Sequence, residues 1–105
     1  DVWFSPLHLE HLSLILERAG VQKTQGVFNL GAQTGISKAD FALEFASALD
    51  LDTSCASIGK LADKPLRARR PLDMRLDVKA FEQKIGYALP DIGDVIEAAA
   101  ENYRK

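Results

Sequence analysis

The chain has 105 residues and a mass of 11.5 kDa, with 47% apolar residues, 27% charged residues and a formal net charge of −2. This is one domain's worth of sequence with ordinary globular composition. No apolar run reaches the roughly 18 residues of a membrane span, and a pI near 5.6 argues against a general nucleic-acid coat. The single Cys55 offers neither a disulfide nor a zinc-type spacing, so a reducing, cytoplasmic setting is expected. The opening DVWFSPLHLE has no basic n-region or cleavage pattern and does not start with Met, so a piece of a longer protein is expected.

Taken in chain order, Ser5-Pro6 reads as an N-cap and first helical position, where the missing proline N–H costs nothing. Leu9, Leu12, Ile15, Leu16 and Ala19 recur at helical spacing and Gly20 ends the run, which predicts a helix over 6–19. GVFNLG (26–31) predicts a short apolar strand between glycines. In GISKADFALEFASALDL, Ser37 and Asp40 form the acidic variant of a capping box. Phe41, Phe45, Ala48 and Leu49 share one face of the helix expected over 38–49.

SCASI (54–58) predicts a second strand. Residues 59–73, with Gly59, Pro65 and Pro71, read as a partly extended loop, and MRL (74–76) as a brief strand. Asp77 is expected to cap a short helix with Val78, Phe81 and Ile85 inward and Gly86 as its stop. Pro90 and Asp91 open a last helix that aligns Ile92, Val95, Ile96, Ala99 and Tyr103, with acids at its start and Arg104 and Lys105 at its end. Four helices with two or three short strands define an α/β chain of the α+β-like kind. There is no internal repeat.

Several candidate sites yield to plainer readings. Gly31 and Gly35 give G-x-x-x-G between strand and helix, which matches neither nucleotide-loop spacing, so a turn into a capped helix is expected. Free N–H groups at the Ser37 helix start still offer a place for an anion. His8 and His11 lie three apart with no third ligand at a recognisable spacing and read as surface or boundary residues. Cys55, in a run of small residues without an adjacent base, reads as a buried structural thiol. No nucleophile–base or paired-carboxylate arrangement emerges, so no catalytic residue is assigned and the chain alone is expected to be inactive.

One stretch stands out. RARRPLDMRLD (67–77) holds four of the six arginines, Arg67, Arg69, Arg70 and Arg75. Surface ion pairs with Asp63, Asp73 or Asp77 are one reading, each worth little. Use of the planar guanidinium points instead to bidentate contact with phosphate or carboxylate. Pro71 stiffens the backbone and pushes Arg70 toward an extended conformation, which lowers the entropy lost on binding. In an extended run Arg67 and Arg69 face one way and Arg70 the other, so only one or two can clamp a compact dianion.

The motifs also carry a resemblance. Gly26–Leu30 and Ile36–Ala42 match the patterns G-[VI]-[FY]-[NH]-[LV] and [IVT]-S-[KR]-x-[ED]-F-A, and Arg70–Lys79 follows R-P-x-x-x-x-L-D-x-x-[KR] through Asp77, with its base, Lys79, one position early. In these, across nearly its whole length, the chain resembles the C-terminal part of extended short-chain dehydrogenase/reductases, most closely dTDP-4-dehydrorhamnose reductases. The resemblance implies a small substrate-binding domain, residues 1–105, that covers a nucleotide sugar held against a Rossmann domain this sequence lacks. It implies NAD(P)H as cofactor of the whole enzyme and reduction of a 4-keto sugar nucleotide in deoxysugar biosynthesis. From the related R-R-x-G-D pattern of nucleotide-sugar epimerases it assigns Arg70, with Arg69 second, to the substrate diphosphate, and Asp73 to the acidic position. Leu72 stands where that pattern has glycine. The glycine-rich cofactor fingerprint and a Tyr-x-x-x-Lys pair are both missing.

The expected partners are therefore the sugar nucleotide, the Rossmann domain and a second copy meeting through an exposed face that includes Val2, Trp3 and Phe4. Neither a membrane nor nucleic acid is expected. A different nucleotide-sugar epimerase or reductase, an interaction module built on the basic loop, and a non-catalytic regulatory subunit are the alternatives.

Overall fold

The centre of the molecule is its first few residues. In a computed structural model that describes residues 1–105, Trp3–Phe4 (β1) lies between Ile36–Ser37 (β2) and Asp73–Met74 (β3). β1 pairs antiparallel with β2, Trp3 opposite Ser37 and Phe4 opposite Ile36, and parallel with β3, Trp3 opposite Asp73 and Phe4 opposite Met74. Bonds from Trp3 N–H to the Leu72 carbonyl (2.8 Å) and from Lys38 N–H to the Val2 carbonyl (2.8 Å) extend this frame. Around it lie four helices, Leu9–Val21 (α1), Lys38–Ala48 (α2), Lys79–Ile85 (α3) and Ile92–Arg104 (α4). The protein is thus a small α+β fold, with four helices and one three-stranded sheet.

Two apolar clusters form the core. Ile15, Val78, Phe81, Ile85 and Leu89 pack between α1 and α3 with Phe28 and Leu30 against them, and Phe28 meets Phe81 edge to face at 5.6 Å. Ala32, Ile36, Ile92, Val95 and Ile96 form the second, closed by Phe4, Phe41 and Phe45. Leu7 touches both clusters and joins them. Phe4 meets Phe41 at 5.5 Å and packs against the core from the central strand, while Trp3 beside it is exposed.

The helix ends follow the chemistry expected of them. Asp91 Oδ1 accepts from Asp94 N–H (3.0 Å) and Asp94 Oδ2 from Asp91 N–H (3.2 Å), a reciprocal cap at the start of α4. Gly86 ends α3 in the left-handed conformation at φ 82°. At α2, Ser37 Oγ accepts from Asp40 N–H (3.0 Å), while its hydroxyl donates to the Asp40 carboxylate at 2.6 Å.

Other expectations need correction. α1 begins at Leu9, because Ser5 is engaged elsewhere: its hydroxyl accepts from Leu76 N–H (3.2 Å) and its carbonyl from Ala32 N–H (3.4 Å). His8 takes over as N-cap, and the helix runs through Gly20 to Val21. On α1 only Ile15 is buried, while Leu9 and Leu16 are exposed. Residues 26–31 alternate as a strand would, with Phe28 and Leu30 against the core and Val27 fully exposed, yet no strand pairs with them. Residues 54–58 are not a strand either. Asp52 folds that segment locally, accepting Ser54 N–H (2.8 Å) and the Ser54 hydroxyl (3.0 Å), and Cys55 is exposed there instead of buried.

Candidate functional site

The arginine stretch hangs from the N-terminal segment at both ends. Leu61–Asp63 forms one 3₁₀ turn, in which Asp63 Oδ2 accepts from Lys60 N–H (3.1 Å). Asp1 Oδ1 accepts from Leu61 N–H (3.0 Å), and Leu72 is bonded to Trp3 as described above. Between these anchors residues 62–72 are all exposed. They surround an open cleft of about 630 Å³ beside Asp1.

Arg69 and Arg70 both line this cleft, together with Lys64 and the apolar Leu61, Leu66 and Leu72; Arg67 does not. The alternation expected of an extended run therefore fails. The chain bends at Arg67 and Ala68, so residues 67–70 are not one extended run. Lys64 escaped the sequence reading, although it shares Arg70's signal: both cations stand immediately before a proline. Pre-proline residues are held extended, and Lys64 has φ −113° and ψ 131°.

Arg75 has a different role. Its Nε donates to Asp73 Oδ1 at 2.9 Å and its Nη2 to Asp73 Oδ2 at 2.6 Å, a bidentate pair and the one salt bridge in the structure. Its guanidinium also lies 5.2 Å from the Trp3 ring centroid. The two charge-assisted side-chain bonds, helped by the Arg75 N–H, hold the Asp73 carboxyl down at about 2, and the same pairing raises Arg75. Asp73 is therefore committed to Arg75. None of Lys64, Arg67, Arg69 and Arg70 has a carboxylate within ion-pair distance.

The remaining candidates are occupied by the protein's own atoms. A Cβ on Gly31 would sit 2.9 Å from the Ser5 carbonyl oxygen, and one on Gly35 would overlap the Arg75 stem. These glycines admit other parts of the chain and form no phosphate cradle. At the α2 start, the Asp40 carboxylate and the bonds already made by Lys38 and Asp40 N–H fill the position an anion would take. His8 Nδ1 accepts from Glu10 N–H (3.4 Å), the His8 and His11 rings meet edge to face at 6.0 Å, and no third ligand-type side chain joins them.

No helix is long and apolar enough to cross a membrane. Compared with known proteins, the chain matches no family model, no curated protein and no solved structure.

Proposed function

We propose that the chain is the nucleotide-sugar-binding portion of a cytoplasmic NAD(P)H-dependent reductase of the dTDP-4-dehydrorhamnose type, with Arg70 and Arg69 on the substrate diphosphate. One observation carries the reading. Arg69, Arg70 and Lys64 line a single cleft without an ion-pair partner, and the apolar Leu61, Leu66 and Leu72 line it too. Guanidinium groups suit the diphosphate oxygens, and apolar side chains suit the flat face of a base. The motif resemblance supplies the finer assignment to a dTDP-sugar reductase.

The residues present do not fit the cofactor. Its pyrophosphate needs glycines that leave an open cradle at a helix start, and both Gly31 and Gly35 are packed against protein atoms. NAD(P)H binding and carbonyl reduction accordingly fall to a partner Rossmann domain.

Calorimetric titration of dTDP into the chain tests the proposal. Binding is expected, and Arg70→Ala should weaken it by about 10-fold or more, the loss of a charged hydrogen bond of about 1.5–3 kcal/mol. Arg67→Ala should leave it nearly unchanged. Absence of dTDP binding, or equal losses in the two variants, would sink the assignment. Binding of a short DNA duplex with a steep salt dependence, in place of dTDP, would establish the basic-module alternative.

A further inference from the structure

The cationic segment and its apolar neighbours lack any complement in their own chain. Residues 60–70 carry Lys60, Lys64, Arg67, Arg69 and Arg70 against one acid, Asp63. Ile58, Leu66 and Leu72 beside them are 67%, 45% and 51% exposed. The radius of gyration is 16.0 Å, against about 13 Å for a compact chain of this length.

Elsewhere the molecule presents the opposite surface. Between α2 and α4 runs a groove of about 470 Å³ with Ala48, Ile96 and Ala100 in its floor and Glu44, Glu97 and Glu101 on its rim. None of these three carboxylates is in a salt bridge. The rim's one base, Arg104, donates to the Ala48 carbonyl. Basic segment and acidic groove do not meet within one chain, because Leu61 at the segment's start is bonded to Asp1, Leu72 just beyond its end is bonded to Trp3, and no α2 or α4 residue lines its cleft.

We propose that the chain self-associates, the basic 60–70 segment of each copy lying in the acidic α2–α4 groove of the other. A second copy is the occupant that brings both complementary surfaces at equal concentration, and reciprocal exchange closes the assembly at two. Leu66 would enter among the small apolar floor residues while the arginines meet the glutamate rim. The contact uses Arg69 and Arg70, so it competes with the diphosphate for them, and its own test is made without nucleotide.

Sedimentation velocity in nucleotide-free buffer tests it. At about 50 mM salt the species should have twice the 11.5 kDa chain mass, and at about 0.5 M salt it should fall to one chain, because exposed charge pairs are screened. The double variants Glu97→Lys/Glu101→Lys and Arg69→Glu/Arg70→Glu change exposed positions only. Each should be a monomer alone, through like-charge repulsion, and an equimolar mixture of the two should restore the dimer. A monomer at low salt, a salt-insensitive dimer, or a mixture that stays monomeric would each overturn the proposal.

Discussion

Residues 1–37 and 78–105 contain every buried residue of this protein, while residues 38–77 contain none. The first set supplies the buried residues of both apolar clusters, two of the three strands and three helices. The second set begins with α2, whose Phe41 and Phe45 are only half-buried, and continues through the exposed stretch that carries most of the arginines. The difference separates what holds the fold from what is available to bind. A cation-rich cleft costs the core nothing when it is built on a segment outside the core. Segments of low local stability are also where ligand-binding loops are commonly found.

The sharpest way to break this division is a pair of truncations. Phe81→Ala removes a ring that is 6% exposed and packed on Phe28, and should cost about 3–5 kcal/mol in chemical denaturation. Leu66→Ala, in the exposed segment, should stay within about 0.5 kcal/mol when both are measured at about 0.5 M salt, where the chain is expected to be a monomer. Comparable losses would mean that the segment carries part of the fold. Brief trypsin digestion makes the same comparison through the backbone. First cuts are expected after Lys60, Arg67 or Arg69, with Arg18 in α1 and Lys84 in α3 cleaved later. Early cleavage at Arg18 would contradict the division.

A smaller effect is expected at a helix end. Asp91→Ala removes one half of the reciprocal cap on α4 and should cost about 0.5–2 kcal/mol, read as a lower denaturation midpoint. α4 contributes Ile92, Val95 and Ile96 to one of the two clusters, so fraying its first turn loosens that cluster directly. Unchanged stability would show that the cap is redundant with packing.

How much of this could be read from residues alone depended on the range of the interactions. α3 and α4 were legible because caps, periodicity and Gly86 act within a few positions. The sheet was not. Its strands are two residues long, too short to show alternation, and they bring Trp3 beside Asp73, so long-range contacts alone define them. GVFNLG shows the reverse case: alternation places Phe28 and Leu30 inward, but a strand also needs a partner and none is present. At the cleft, the pre-proline rule holds for Lys64, which is extended, and Arg70 lines the same cleft. The bend at Arg67 and Ala68, which interrupts the run expected to be extended, leaves no trace in composition.

The finest distinction lies within the arginine stretch itself, between Arg75, which is paired, and Arg69 and Arg70, which are not. The Asp73 carboxyl, held at about 2 by Arg75, has a folded-state value below its unfolded one. Its contribution to stability is therefore present above the ordinary aspartate range near 4 and fades as pH falls from about 4 to about 2. Both side chains are exposed, so the contribution to stability is small and the titration itself is the better readout. Carbon-detected NMR should place the Asp73 midpoint near 2, and Arg75→Ala should return it to about 4. Arg70→Ala should not move it, because Arg70 makes no ion pair with Asp73. A shift of the Asp73 midpoint in Arg70→Ala would show that the two arginines share one carboxylate, and that the cleft arginines are not free for a ligand.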